Sequence, residues 1–232
     1  MADESFHKTG LWQSSLAKIP NDPYEEHRDR LRVSLMACRE KVKPIVDRIA
    51  HVLPGLTVHD VSHLDALWET ADLIAGVGYP LNPLEGFVLG LSFLFHDSAM
   101  CWEAYEHGRD GDRATCHLER RHIAADTEIG PLAGKIASSH HWDTDARVAA
   151  LGEQFNAPYP FPSEWSVDPV KIACILRCAD AAHINQARAP LFLYALIKRL
   201  GVSLQHWQAQ NRMMGPSLDV GDSTNTTVIY TS

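Results

Sequence analysis

The sequence has little of what membrane insertion or nucleic-acid binding would require. Its longest apolar run, near residues 86–95, is too short to span a bilayer, and the acidic start Met1-Ala2-Asp3-Glu4 argues against a signal peptide. With 29 acidic against 21 basic residues, the net charge is −8. Broad nucleic-acid binding depends on neutralising phosphates, so this charge argues against it. We therefore expect a cytoplasmic protein with no membrane partner.

Cysteine and the common nucleotide-binding and nucleophile motifs are also scarce or absent. Of the five cysteines, only Cys174 and Cys178 lie close together, at helical spacing in an apolar stretch. This pattern predicts buried thiols rather than a zinc knuckle. The phosphate loop G-x-x-x-x-G-K-[ST], the dinucleotide loop G-x-G-x-x-G and the serine-hydrolase elbow G-x-S-x-G do not occur. The chemistry, if there is any, must come from other residues.

Apolar periodicity predicts an all-α fold. A helix over 23–52, bent at Pro44, and a helix over 60–75 both show apolar residues at 3–4 spacing. A helix over 83–96 is almost wholly apolar in its second half and is expected in the middle of the fold. Further helices are predicted over 113–128, 131–141, 145–155, 168–200 with a break at Pro190, and 203–211.

Three segments follow from this pattern. Residues 1–22 are predicted to be a polar N-terminal arm, 23–212 a helical domain of seven or more helices, and 213–232 a polar, strand-like tail. The tail includes the strand-like run 227–231. This strand either pairs locally or belongs to the start of a further domain in a longer chain.

Histidine is the outlier in the composition, at 13 residues. Because a chain of this length can bury a core unaided, a metal site here is expected to serve chemistry rather than folding. His59 and His63 lie one helical turn apart and could share an ion or a phosphate. The adjacent pair His96-Asp97 ends an apolar helix, where a buried carboxylate needs a compensating charge such as a divalent cation. The alternative is an aspartate that caps the next turn.

Three further positions could join the same cluster. His140-His141 lies at a predicted helix end, and both rings can reach one cluster only if it straddles that end. Asp180 lies in a small, apolar helical segment, with a structural pair to Arg177 as the alternative. His122 is a weaker candidate. Imidazole and carboxylate together suit a divalent transition metal.

The order His63, His96-Asp97, Asp180 resembles the H…HD…D signature of the HD-domain metal-dependent phosphohydrolases, over roughly residues 24–200. The run 56–63 (LTVHDVSH), together with Trp68, is closest to the HD-CE branch. Members of that branch often precede a GHKL-type ATPase module and have been linked to bacterial conflict systems. The resemblance implies an HD-type helical bundle and a possible C-terminal ATPase module as partner in a longer chain.

The resemblance also implies roles for individual residues. The implied metal ligands are His63, His96, Asp97 and Asp180, with His122, His140 and His141 where two-metal members place additional histidines. Asp97 and His96 are the implied catalytic residues, and His59 and Arg113 the implied substrate contacts. The implied cofactor is one divalent ion or two, of Mn, Fe, Ni, Zn or Mg.

The implied activity is hydrolysis of a phosphoester or nucleotide by a metal-activated water. Two departures bear on it. Ser98 stands where many members continue the His-Asp pair with Gly-Lys, so no lysine follows the pair. The Gly-Tyr-Pro element of cyclic-dinucleotide hydrolases does not follow His141, so specificity for cyclic dinucleotides is not supported. The alternative function is a catalytically weak metal- and nucleotide-binding sensor or scaffold that regulates an attached effector, in bacterial defence. A third is a helical interaction domain with solvated histidines.

Overall fold

The computed structural model describes residues 5–76, 78–101, 129–224 and 227–232. It is an all-α bundle with a short two-stranded sheet near the C-terminal end, which confirms the predicted fold class. The helices are α1 (Gly10–Ser15), α2 (Glu25–Val46), α3 (Ile49–Val52), α4 (Val61–Ala75), α5 (Pro83–Phe95), α6 (Ile129–Ser138), α7 (Thr144–Leu151), α8 (Pro169–Ala182), α9 (Leu191–Leu196) and α10 (Gly201–Asn211). The strands are β1 (Pro216–Leu218) and β2 (Val228–Tyr230).

Helix α5 is the centre of the bundle, as its apolar sequence predicts. Every residue of α5 is buried, and the helix packs against α1, α2, α6 and α8. It begins with a capping box between Asn82 and Glu85, which satisfies backbone donors at its first turn. At Gly86 a Cβ would overlap Ser15 of α1, so glycine is needed for the two helices to approach. This rigid helix delivers His96 and Asp97 at its carboxyl end.

Residues 5–16 contribute to the core rather than standing outside it. Phe6, Leu11, Trp12 and Leu16 are buried, and the Trp12 ring contacts that of Trp68 on α4. Burying a large apolar side chain contributes roughly 1.5–3 kcal/mol, which is enough to fix such a short segment. The expectation of a polar arm missed these side chains because polar residues separate them. The predicted domain limits themselves stay a prediction.

Helices α4 and α8 pack along each other and carry ligand candidates near their ends. Helix α8 ends at Ala182, eight residues before the predicted break at Pro190, so that prediction is wrong. The reason is local. The Asn185 side chain accepts hydrogen bonds from the amides of Ala187 and Arg188, which holds a tight turn in place of a helix. Cys174 and Cys178 are exposed on α8, which corrects the expectation of buried thiols.

The strand-like run at the C-terminal end pairs locally. Strand β2 runs antiparallel to β1, with Ser217 opposite Ile229. The Tyr230 hydroxyl donates to the Ala182 carbonyl at 2.8 Å, which ties this hairpin to the end of α8. Among the helices described, none has the length and apolar character that crossing a membrane would require.

Candidate metal centre

Four of the predicted ligands meet where three helices end or begin. His63 lies in the first turn of α4, His96 and Asp97 directly follow α5, and Asp180 lies in the last turn of α8. Asp97 Oδ2 is 3.0 Å from His96 Nε2 and 3.5 Å from His63 Nε2. Asp180 Oδ1 is 3.6 Å from His63 Nε2 and 3.8 Å from His96 Nε2. Two imidazoles and two carboxylates therefore surround one small volume, the metal cluster.

The cluster has the dimensions and the unsatisfied atoms that a divalent cation requires. Two ligand atoms that each bind one ion at about 2.0–2.2 Å lie about 3–4 Å apart, and the separations above fall in that range. His63 Nε2 and His96 Nε2 are buried and have no hydrogen-bond partner among the described residues. A buried polar atom left without a partner costs about 1–3 kcal/mol. A bound cation would satisfy both nitrogens, so these residues fit the metal that the sequence predicts.

Hydrogen bonds at the other ring nitrogen orient the histidines. His96 Nδ1 is 2.9 Å from the Phe93 carbonyl, and His140 Nδ1 is 2.7 Å from the Ala137 carbonyl. Because a carbonyl only accepts, each Nδ1 carries a proton, and Nε2 is the nitrogen left to bind a metal. Such partners fix the tautomer and the direction of a metal-binding histidine.

His63 is oriented by His183, a residue that the sequence analysis did not assign to the site. The two Nδ1 atoms lie 2.8 Å apart, and the ring planes differ by 1°. His183 directly follows α8, three residues after Asp180. Its position at the end of the helix that carries a predicted ligand is the one signal in the sequence that could have found it.

The electrostatics of the cluster require a positive charge. Burial lowers the pKa of His63 to about 3, so its imidazole is neutral. Burial would also lower the pKa of His96, but the carboxylates of Asp97 and Asp180 outweigh it and raise this pKa to about 10. Burial would raise the pKa of Asp97, yet His96 and His63 hold it well below its usual value. A proton on His96 thus occupies the place of a cation between two ionised carboxylates.

His59 lies beside the cluster and is engaged by a second residue that the sequence analysis missed, Arg188. His59 Nε2 is 4.0 Å from Asp97 Oδ2 and accepts a hydrogen bond from Arg188 Nη2 at 2.9 Å. His59 Nδ1 lies 2.5 Å from the Thr57 carbonyl, so this imidazole is a neutral acceptor toward Arg188. Arg188 could not be found from its neighbours in sequence, since it reaches the site from a turn 129 residues away.

The remaining predicted residues divide into three groups. The half-buried His140 ring lies 5.3 Å from that of His96. His141 is exposed, and its ring lies 5.1 Å from that of His140. Arg113 and His122 lie outside the described residues. Arg177 donates to the His140 carbonyl, and in the described ranges it forms no ion pair with Asp180. The additional ligands of a second ion therefore stay a prediction.

The cluster opens toward a cavity on the Asp180 side. The Asp180 side chain is 27% exposed, while those of His63, His96 and Asp97 are almost fully enclosed. A cavity of about 480 Å³ reaches Asp180, His59 and Arg188. A second cavity, of about 600 Å³, lies against His63, His183 and the other side of Arg188, and neither carboxylate of the cluster lines it. The first cavity reaches the exposed side of Asp180, and we call it the Asp180 cavity.

Comparison with known proteins agrees with this geometry. The HD-CE family model matches residues 53–123 and 116–231, which include every core ligand candidate. The chain has no significant match among curated proteins or among solved structures. The match covers well over half of the chain and includes all four residues of the metal cluster. The chain therefore belongs to the HD-CE branch of the HD-domain superfamily.

Proposed function

We propose that the chain is a divalent-metal-dependent phosphohydrolase that acts on a phosphoester or a nucleotide. The observation that carries this proposal is the pair of buried Nε2 atoms of His63 and His96, which face two carboxylates and have no hydrogen-bond partner in the described part of the chain. The adjacent Asp180 cavity supplies room for a substrate at the open side of the cluster.

Each residue of the metal cluster has a separate role in the proposed reaction. When bound, a divalent ion in such a set lowers the pKa of water and neutralises charge on a phosphoryl oxygen. His63 and His96 supply neutral nitrogen ligands, held in direction by His183 and by the Phe93 carbonyl. Asp97 lies closer to both imidazoles than Asp180 does and is more deeply buried, so we expect its loss to be the most damaging. Asp180 is the ligand nearest to the substrate.

The choice of metal follows from the ligands. A set of two imidazoles and two carboxylates favours Mn, Fe, Ni or Zn over Mg, which prefers oxygen ligands. One ion position rests on the four core residues. A second would draw on His140 together with His122 and His141, and we propose it only as an addition to the first.

A second candidate function is a metal- and nucleotide-binding sensor with weak turnover or none. It is favoured by Ser98, which is buried directly after the His96-Asp97 pair and donates to the Phe95 carbonyl. This position therefore presents no cation to a departing phosphate. Such a sensor would act on an attached effector. In the HD-CE branch, that effector would be an ATPase module in a longer chain. We propose that the protein acts in the cytoplasm and in bacterial defence.

Turnover separates the two candidates. Hydrolysis of nucleotides and of p-nitrophenyl phosphate would be measured with Mn²⁺ for the wild type, for Asp97→Asn, and for Asp143→Asn. Asp143 caps α7, where asparagine also caps, so it is a matched control for the charge removed. The hydrolase proposal expects release of phosphate, lost in Asp97→Asn and kept in Asp143→Asn. Metal and nucleotide binding without turnover would support the sensor instead.

A further inference from the structure

Arg188 is a buried cation whose hydrogen-bond partners are all neutral. The residue is 6% exposed. It donates to the Val58 carbonyl at 3.3 Å, to the His183 carbonyl at 3.4 Å and to His59 Nε2 at 2.9 Å. Within the ranges that the structure describes, no carboxylate oxygen lies within 4.0 Å of its guanidinium. Three carboxylates act on this charge at longer range, those of Asp97, Asp180 and Asp60. Burying a charge without a directly paired opposite charge is costly, so this arrangement favours a bound anion.

The Arg188 side chain is held in place, but its contacts with the described residues do not use all of its N–H donors. The backbone amide of Val58 donates to the Arg188 carbonyl at 2.8 Å, and the Asn185 side chain fixes the turn that precedes it. A guanidinium has five N–H donors, and the three contacts above use one on each nitrogen. Among the described residues, one N–H on Nη1 and one on Nη2 have no acceptor. Paired arginine donors match two oxygens of a phosphate group.

The surroundings of Arg188 identify the kind of ligand. Arg188 lines both cavities, but of the two only the Asp180 cavity is also lined by a carboxylate of the cluster. An anion held by Arg188 in that cavity would lie next to the metal cluster. The volume of about 480 Å³ lies within the range of small-molecule sites, which is roughly 300–1,000 Å³. Beyond the charged end, the cavity is lined by apolar Leu56, Ile184 and Val202 and by the amide of Gln210. An organic group with few charges fits that wall.

We propose that Arg188, backed by His59, is the phosphate-binding subsite of the Asp180 cavity. It takes the phosphate of a monoester with a nucleotide-sized organic group and positions that phosphate against the metal cluster. The identity of the ligand as a substrate rests on the proposed function, whereas the binding of phosphate does not. Arg188 thus acts in binding and positioning, and His59 orients it.

The test measures binding of inorganic phosphate by calorimetry, with and without Mn²⁺. The variants are Arg188→Gln, Arg188→Lys and, as a charge-matched control, Arg48→Gln at an exposed arginine of the link between α2 and α3. Loss of charge-assisted hydrogen bonds should weaken phosphate binding by about 10–100-fold in Arg188→Gln. Manganese stoichiometry should stay as in the wild type, and Arg48→Gln should bind phosphate normally.

Two results would overturn the subsite: no phosphate binding by the wild type, or unchanged affinity in a folded Arg188→Gln. If Arg188→Gln does not fold, Arg188→Lys decides, because lysine keeps the charge and loses the paired donors. A clear loss of phosphate affinity in Arg188→Lys supports the subsite, and unchanged affinity contradicts it. Phosphate binding that depends on Arg188, in a protein without turnover, would retain the subsite and reject the hydrolase.

Discussion

The Nδ1 atoms of His63 and His183 face each other at 2.8 Å, with the two rings in one plane. Burial lowers the pKa of His63 to about 3 and that of His183 to about 4, so both imidazoles are neutral and share one proton between these atoms. If His63 Nε2 binds a metal, His63 Nδ1 must donate and His183 Nδ1 must accept. His183 therefore supplies the acceptor that the ligating tautomer of His63 needs.

Replacing His183 tests this role. His183→Ala removes the acceptor for His63 Nδ1, so His63 is free to rotate or to adopt the other tautomer. Loss of such an orienting partner typically weakens metal binding by about 10–100-fold. The measurement is competition with a chelator for Mn²⁺, with His206→Ala as control, since His206 is an exposed histidine that lines the Asp180 cavity. Equal affinities for wild type and His183→Ala would show that the orienting bond is dispensable.

Metal binding should become tighter as the pH rises. Without an ion, the pKa of His96 is raised from 6.5 to about 10, so its imidazole is protonated at neutral pH and must lose that proton to ligate. In the folded protein without metal, the same raised pKa stabilises the fold at low pH, and this stability is lost as the pH rises toward 10. A bound metal ion takes the place of that proton between the two carboxylates, so the folded protein with metal does not lose this stability as the pH rises.

Calorimetry of Mn²⁺ binding in buffers of different ionisation enthalpy would count the protons released. We expect about one proton per ion near pH 7 and an affinity that rises up to about tenfold per pH unit between pH 6.5 and 8. No proton release together with a flat affinity would contradict the assignment of the proton to His96.

The four core ligands could be predicted from the sequence, whereas His183 and Arg188 could not. His63, His96, Asp97 and Asp180 were found because each lies at the end of a helix with a clear apolar period, and the family order joins them. His183 and Arg188 follow a helix end that depends on the Asn185 side chain. Nothing in the apolar pattern of 168–200 marks that point, so their contacts across the fold could not be predicted.

In the fold, too, features set by local sequence were predicted and features set by distant contacts were not. Helix α5 was predicted closely, because its run of apolar residues is a local signal. The packing of residues 5–16 was not, since Phe6 and Trp12 gain their stability from Trp68, far along the chain. The exposure of Cys174 and Cys178 was also missed, because an apolar composition does not reveal which face of α8 meets its neighbours.

Substitution at Trp12 tests the packing of the N-terminal segment. Trp12 is buried against Phe6 and Trp68, and truncating a buried large aromatic side chain costs about 3–5 kcal/mol. We expect Trp12→Ala to lower the free energy of unfolding in urea by that amount. Val33→Ala, at a position that is 59% exposed, should change it by less than about 0.5 kcal/mol. If the two variants are equally stable, the segment does not belong to the core.

The close approach of α1 and α5 gives a separate prediction. In Gly86→Ala the new methyl group would overlap the buried Ser15, and overpacking costs about 1–3 kcal/mol. Better helix propensity would offset at most about 1 kcal/mol of this loss. Thermal unfolding should therefore show a lower melting temperature for Gly86→Ala and little change for Gly55→Ala, where the nearest atom would be 3.4 Å away. A Gly86→Ala protein as stable as the wild type would contradict this contact.

The central claim is that His63, His96, Asp97 and Asp180 hold a divalent ion. Elemental analysis of the purified chain, beside the double variant His96→Ala/Asp97→Ala, tests it most directly. The account predicts at least one equivalent of Mn, Fe, Ni or Zn in the wild type and none in the folded double variant. A wild-type protein that carries no metal, and takes up none on titration, would contradict the account and leave the cluster without a catalytic role.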